Sequence, residues 1–294
     1  MKKIFYLLSI AALAAACQKQ VPSGEDTLAV NIGISDEVAK VHFGTQTDTR
    51  NTLVWSTGDK VMLNGVESSA LASSGNGAAS ATFTFNFKSD MSRMQAPWNF
   101  LYCGVAGTDN TVLFPSQQTY AGGNIAANTL PMYATSTSLS NITLNHLASA
   151  LKFTFTSSTN VTLKEISIQS QDGEKISGKF ALGKDGSGKF DASSFTPAGD
   201  NSHIVKLSAN TQLSSTAKTF YVAIPAGTYA KGFYGQMILS DNTIMEVYFN
   251  TKAASELGRG VIYDFGTSSY IPMGKVVMTV CNTQNFNVTD VNYE

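Results

Sequence analysis

The chain has 294 residues, with 20 Lys and Arg against 21 Asp and Glu, a formal net charge of −1. Charged residues make up only 14% of it, well below the roughly 25% of ordinary globular domains; Ser, Thr, Asn and Gly take their place. The sequence has no basic patch, which argues against nucleic acid as a partner, and it is long enough for two domains of ordinary size.

The chain opens with Lys2 and Lys3, a positive n-region. Ile4 to Ala16 is almost wholly apolar and closes on Ala14-Ala15-Ala16 just before Cys17. The run is too short to span a bilayer as a helix and is built like a secretory signal peptide. Small residues followed at once by Cys resemble a bacterial lipobox, in which the Cys17 thiol is acylated and becomes the first residue of the mature protein. The alternative is ordinary signal-peptidase cleavage after Ala16, which leaves Cys17 incidental. Both export the protein, so residues 1–16 are set aside from the fold. Without Lys2 and Lys3 the balance is 18 basic to 21 acidic residues, a net charge of −3.

Thr27 to Ile34 is predicted as a strand, and Lys40 to Phe43 as a second. Gly44 to Arg50 is polar and is predicted as an exposed linker, the kind of segment that proteases cut. Leu53-Val54-Trp55 follows as a firm strand, with Trp55 a core residue. The sequence holds three arginines, Arg50, Arg93 and Arg259; Arg50 is the one between the N-terminal strands and the rest. Thr82 to Phe87 alternates strictly between apolar and polar. Leu151 to Phe155, Glu165 to Ile168 and His203 to Leu207 do much the same. β-branched and aromatic residues fill these runs and Gly, Asn, Ser and Asp fill the gaps, so the fold is read as all-β, built of sandwiches. Gly122 to Asn128 and Ser193 to Asp200 read as loops. Cys103 and Cys281 sit in apolar runs and read as strand residues. An oxidising compartment permits a disulfide between them, but nothing in the spacing demands it, and the reading is two buried free thiols.

A boundary falls near Ser149, and a second series of strands runs to about Phe265. The tail from Gly266 holds two further strand-like runs, Val276 to Cys281 and Phe286 to Tyr293, with a phase slip near Thr289-Asp290. A strand ending at a free terminus can be exchanged between molecules cheaply. One face of the first run is Val276, Met278 and Val280. The second run offers Phe286 and Val288, then Val291 and Tyr293.

Catalytic signals are weak. His42, His146 and His203 are scattered and none has metal-ligand spacing. There is no Gly-x-Ser-x-Gly elbow. Gly183 to Lys189 lacks phosphate-loop spacing and reads as a hairpin turn. The reading is therefore not an enzyme, with no cofactor and no metal.

Thr49 to Val61, with its Thr-Arg, Trp and Gly-Asp-Lys, resembles a segment of the Bacteroidales fimbrillin-like lipoproteins, the type V pilins. Phe114 to Tyr120, Pro131 to Ala134, His146 to Phe153, Tyr221 to Tyr229 and Leu257 to Phe265 resemble that family's later motifs in the same order. The resemblance implies two transthyretin-like β-sandwich domains with a C-terminal strand extension. It divides the chain into a signal peptide (1–16), an anchored propeptide with a removable strand (17–50), two sandwiches (51–148 and 149–265) and a donor tail (266–294). It implies lipidation at Cys17, processing at Arg50 by a trypsin-like protease (Lys40 if lysine is accepted), and strand exchange with other pilin subunits. The partners so implied are those subunits, the outer membrane through the lipid anchor and the protease; the adhesion ligand is unknown. The location implied is the cell outer membrane, then a surface fimbria. The alternative is an anchored adhesin, a tip or base pilin, or a glycan-binding lipoprotein of the same fold that does not polymerise.

Overall fold

The computed structural model describes residues 26–34, 43–47, 50–250 and 255–285. Cys17 and Lys40 lie outside them, as do Phe286, Val288, Val291 and Tyr293. The described chain is built of strands, with two short 3-10 turns. The first series is β1 (Thr27–Ile34), β2 (Phe43–Thr47), β3 (Arg50–Leu53), β4 (Val61–Leu63), β5 (Val66–Glu67), β6 (Ser80–Asn86), β7 (Trp98–Tyr102), β8 (Thr111–Phe114), β9 (Gln117–Thr119), β10 (Met132–Ser136) and β11 (Ile142–His146). The second is β12 (Ala148–Thr156), β13 (Val161–Ser170), β14 (Gly178–Lys184), β15 (Phe190–Pro197), β16 (Ile204–Leu213), β17 (Lys218–Pro225), β18 (Gly227–Tyr229), β19 (Phe233–Leu239), β20 (Ile244–Asn250), β21 (Ser255–Leu257) and β22 (Val261–Ser269). The tail adds β23 (Lys275–Thr279) and β24 (Asn282–Asn285).

Alternation in the sequence becomes sidedness in the sheets. Ala81, Phe83 and Phe85 of β6 are buried while the residues between them face solvent, as the two-residue period of a strand requires. A seven-stranded sheet runs β5-β4-β7-β10-β11-β1-β6. Its two edges meet at the bridge Ser68↔Phe85, so it closes around a core that includes Val30, Ile32, Trp55, Phe83, Phe85 and Phe100. In the second series, the sheets β17-β12-β22-β24 and β23-β20-β19-β13-β16-β9 cover a core rich in Phe153, Phe155, Phe220 and Phe249.

Ser149, the expected boundary, lies within β12, and β8 and β9, from well before it, pair with strands that follow it. β8 joins β14 (Phe114↔Gly178 through Thr111↔Ala181), and β9 runs parallel to β16. A third buried cluster, with Phe114, Leu130, Leu147, Phe180 and Tyr221, fills the junction.

Four local expectations are corrected. Val54 and Trp55, expected in a strand with Leu53, lie beyond the end of β3. Gly44 to Thr47 and Arg50, expected in an open linker, belong to the antiparallel pair β2 and β3, with Gln46↔Asn51 and Thr47↔Arg50 paired; Thr45 and Thr47 favour extended backbone. Ser193 to Pro197, expected in a loop, belongs to β15, where Phe195 pairs with Leu182. Cys103 and Cys281 are not strand residues: Cys103 is a half-buried turn residue at φ 59°, and Cys281 is exposed between β23 and β24. Both are free thiols.

Candidate strand-exchange site

β1 is an inner strand although it comes first in the chain. It pairs antiparallel with β6, from Thr27↔Asn86 to Gly33↔Ser80, and parallel with β11 at Ile32↔Ile142 through Ile34↔Leu144. Its alternation points Val30, Ile32 and Ile34 into the core, where all three are buried, with Leu28 partly buried behind them. Fully burying each such side chain stabilises by roughly 1.5–3 kcal/mol before ordering costs. Asn31, between two of them, is exposed.

Trp55 closes the seat of β1 from below. It is fully buried, and its indole Nε1–H donates to the Ile32 carbonyl at 3.1 Å. Its own backbone is fixed elsewhere: Trp55 N–H donates to Ala78 at 3.0 Å and Gly77 N–H donates to Trp55 at 2.8 Å. The indole ring meets Phe83 and Tyr102 edge-on, at centroid distances of 4.8 and 5.6 Å. The Tyr102 hydroxyl bonds to buried Asp59 at 3.0 Å and to Asn128 at 3.1 Å. Asp59 in turn accepts from the Ser56 N–H at 2.7 Å, and Gly58, at φ 90°, supplies the left-handed turn residue between them. Burial pushes the Tyr102 phenol well above its ordinary range, and the neighbouring Cys103 and Asp59 add to the shift. The Trp-Ser-Thr-Gly-Asp run is thus a brace for the indole. Sequence reading placed Trp55 in the core but missed Asp59 and Tyr102; the Gly-Asp dipeptide was the available signal for a turn with a capping carboxylate.

Arg50 opens β3 in the hairpin that follows β1. A cut after it leaves Asn51 as the first residue, four positions before Trp55, and puts β1 and β2 on the other fragment.

The described part of the tail, to Asn285, packs on its own second sandwich. β23 is the edge strand of the six-stranded sheet and runs parallel to β20, from Glu246↔Lys275 to Asn250↔Thr279. Met278 is buried, and Val276 and Val280 pack partly buried on the same core. Val277 points the other way and is 58% exposed. The Lys275 ammonium lies over the Tyr248 ring at 4.2 Å. β24 pairs with the edge of β22 through the polar residues Asn282 to Asn285.

Among the described residues no group of three His, Cys, Asp or Glu could hold a metal ion. His146 is buried in β11, and His203 sits at intermediate burial just before β16.

No protein-family model matches the chain, and no curated protein matches it. Solved structures similar to it include a candidate cell adhesion protein from Bacteroides uniformis ATCC 8492, at 12% identity and TM-score 0.45, covering 86% of this chain and 96% of that one. A candidate cell adhesion protein from Bacteroides ovatus ATCC 8483 has 11% identity and TM-score 0.48, covering 90% and 100%. The tip fimbrial protein Mfa3 from Porphyromonas gingivalis, with C-terminal truncation, has 11% identity and TM-score 0.37, covering 88% and 96%.

Proposed function

We propose that this chain is a structural subunit of a cell-surface fimbria, exported as a lipoprotein through Cys17, processed at Arg50 by a trypsin-like protease and polymerised by strand exchange. The observation that carries the reading is the placement of β1. It is a buried inner strand joined to the rest of its unit through the hairpin that holds Arg50, so one cut separates it from the core that it completes. Removing it leaves unpaired backbone on β6 and β11 and an apolar slot between them, which favours refilling by another strand. The tail of a second subunit offers alternating apolar residues for that slot. A head-to-tail contact of this kind does not close on itself and builds a filament. Before processing, acyl chains on Cys17 hold the precursor at the outer membrane by hydrophobic burial.

The test is N-terminal sequencing of surface-extracted protein, together with unheated denaturing gels. The expected result is Asn51 as the first residue and ladders of subunits; a start after Lys40 places the cut there instead. Arg50→Ala protein is expected to stay lipid-anchored and monomeric. Efficient ladder formation by that variant, with residues 27–34 still attached, refutes the assignment.

The docking of β23 on its own sandwich favours a second reading, an anchored adhesin or glycan-binding surface lipoprotein that never exchanges strands. Such a protein keeps its N-terminal segment and its lipid at the surface and binds its ligand as a monomer.

A further inference from the structure

We propose that Trp55 is the positioning residue of the β1 slot: its indole N–H holds, by the main chain, whichever strand fills that place. The proposal rests on the strand-exchange reading above. Four observations carry it. First, the indole donates to the Ile32 carbonyl at 3.1 Å, a main-chain acceptor that any residue supplies, so the bond does not depend on the side chain of the incoming strand. Second, everything that aims the indole lies after Arg50 in the chain and therefore stays when β1 leaves: the backbone bonds to Gly77 and Ala78, the rings of Phe83 and Tyr102, and the Asp59 carboxylate behind Tyr102. Third, Trp55 is fully buried with β1 in place, so loss of β1 breaks the indole bond and opens the donor to water, and a filling strand covers it again. Fourth, carbonyls alternate in direction along a strand as side chains do. A filling strand that slips by one residue turns its carbonyl away from the indole and its apolar side chains out of the core together. The indole bond and the apolar seats therefore select the same phase. In the tail that phase is Val276, Met278 and Val280, so a tail strand entering in the direction of β1 offers the indole a carbonyl from this set.

The experiment uses the full chain labelled with 15N-tryptophan. The sequence holds two tryptophans, Trp55 and Trp98, so Trp98→Phe assigns the two indole signals. The precursor is cleaved at Arg50, the released segment is removed in mild denaturant, and a synthetic peptide of residues 270–294 is added as the filling strand. The Trp55 indole proton is expected to be protected from solvent exchange in the precursor, to lose that protection in the emptied protein and to regain it with the peptide. Trp55→Phe keeps a ring and removes the donor; its peptide complex is expected to dissociate roughly 2- to 10-fold faster, the span of one net hydrogen bond. Equal indole exchange in the empty and filled states overturns the proposal while leaving strand exchange intact, and this readout needs no substitution at Trp55. Unchanged dissociation from Trp55→Phe also overturns it. Failure of the peptide to bind the parent protein overturns the strand-exchange reading and the role of Trp55 with it.

Discussion

The side-chain amide of Gln118 bonds twice to the main chain of Ala223: Gln118 Nε2 donates to the Ala223 carbonyl at 2.7 Å, and the Ala223 N–H donates to Gln118 Oε1 at 3.0 Å. β17, which carries Ala223, is an edge strand of its sheet. One buried side chain thus does for that edge what a neighbouring strand would do, and it ties the first series of strands to the second. Gln118→Ala is expected to destabilise the protein by about 1–3 kcal/mol for each main-chain group left unpaired. Urea unfolding checks it; an unchanged midpoint and slope would show that water replaces the amide without loss.

Anchoring is tested at Cys17. Cys17→Ala is expected to abolish labelling by a fatty-acid analogue and to release the precursor from membranes. Equal membrane retention of variant and parent would leave the thiol with no anchoring role.

Deleting residues 276–294 is expected to leave a folded protein, processed at Arg50, that forms no ladders. Charge at Val280 or Phe286 is expected to weaken assembly more than charge at Asn282 or Asn287. The measurement is ladder intensity on unheated gels, with circular dichroism to confirm folding. Met278 is buried in the precursor itself, so the deletion also exposes part of the second core. It is expected to lower the thermal midpoint without abolishing the transition. Ladders from the tailless protein, or its outright unfolding, would remove the tail from the mechanism.

Alkaline pH gives an independent check on the Trp55 brace. Burial raises the Tyr102 phenol above its ordinary value of 10.0, and burial does the same at Tyr221 and Tyr229. The fold therefore holds these phenols neutral more firmly than the unfolded chain does. The stability this contributes is fully present below pH 10.0 and is lost as pH rises above it. Phenolate absorbance from these residues is expected to appear together with loss of the β-sheet circular dichroism. Their ionisation in a protein that keeps its sheet signal would contradict the burial.

Much of this architecture is legible in single residues. The alternation of Thr82 to Phe87 gives β6 and its inner face, and the apolar setting of Trp55 gives its burial. The alternation of Val276, Met278 and Val280 gives the inner face of β23. The partners of each strand are not legible. β8 and β9 read as members of the first series, and only tertiary packing sends Phe114 and Gln118 across to β14 and β16. The pairing of β2 with β3 is not legible in the polarity of Gly44 to Arg50; Thr45, Thr47 and Thr52 carry strand propensity regardless of polarity. Cys103 was placed in a strand by its apolar neighbours, and nothing in Tyr102-Cys103-Gly104 announces a non-glycine residue at φ 59°. The indole bond to Ile32 spans 23 residues and has no sequence signal beyond the two apolar residues that it joins.

The closed first sheet also limits what can enter it. Adjacent strands stand about 4.8 Å apart, so with β1 gone β6 and β11 face each other across roughly twice that distance. Such a slit has room for one extended chain and no second one beside it. A flat open edge invites any strand, and then another on top of it. A slit with two walls saturates after a single guest, so on the strand-exchange reading a processed subunit would take up one neighbour without seeding an unlimited sheet.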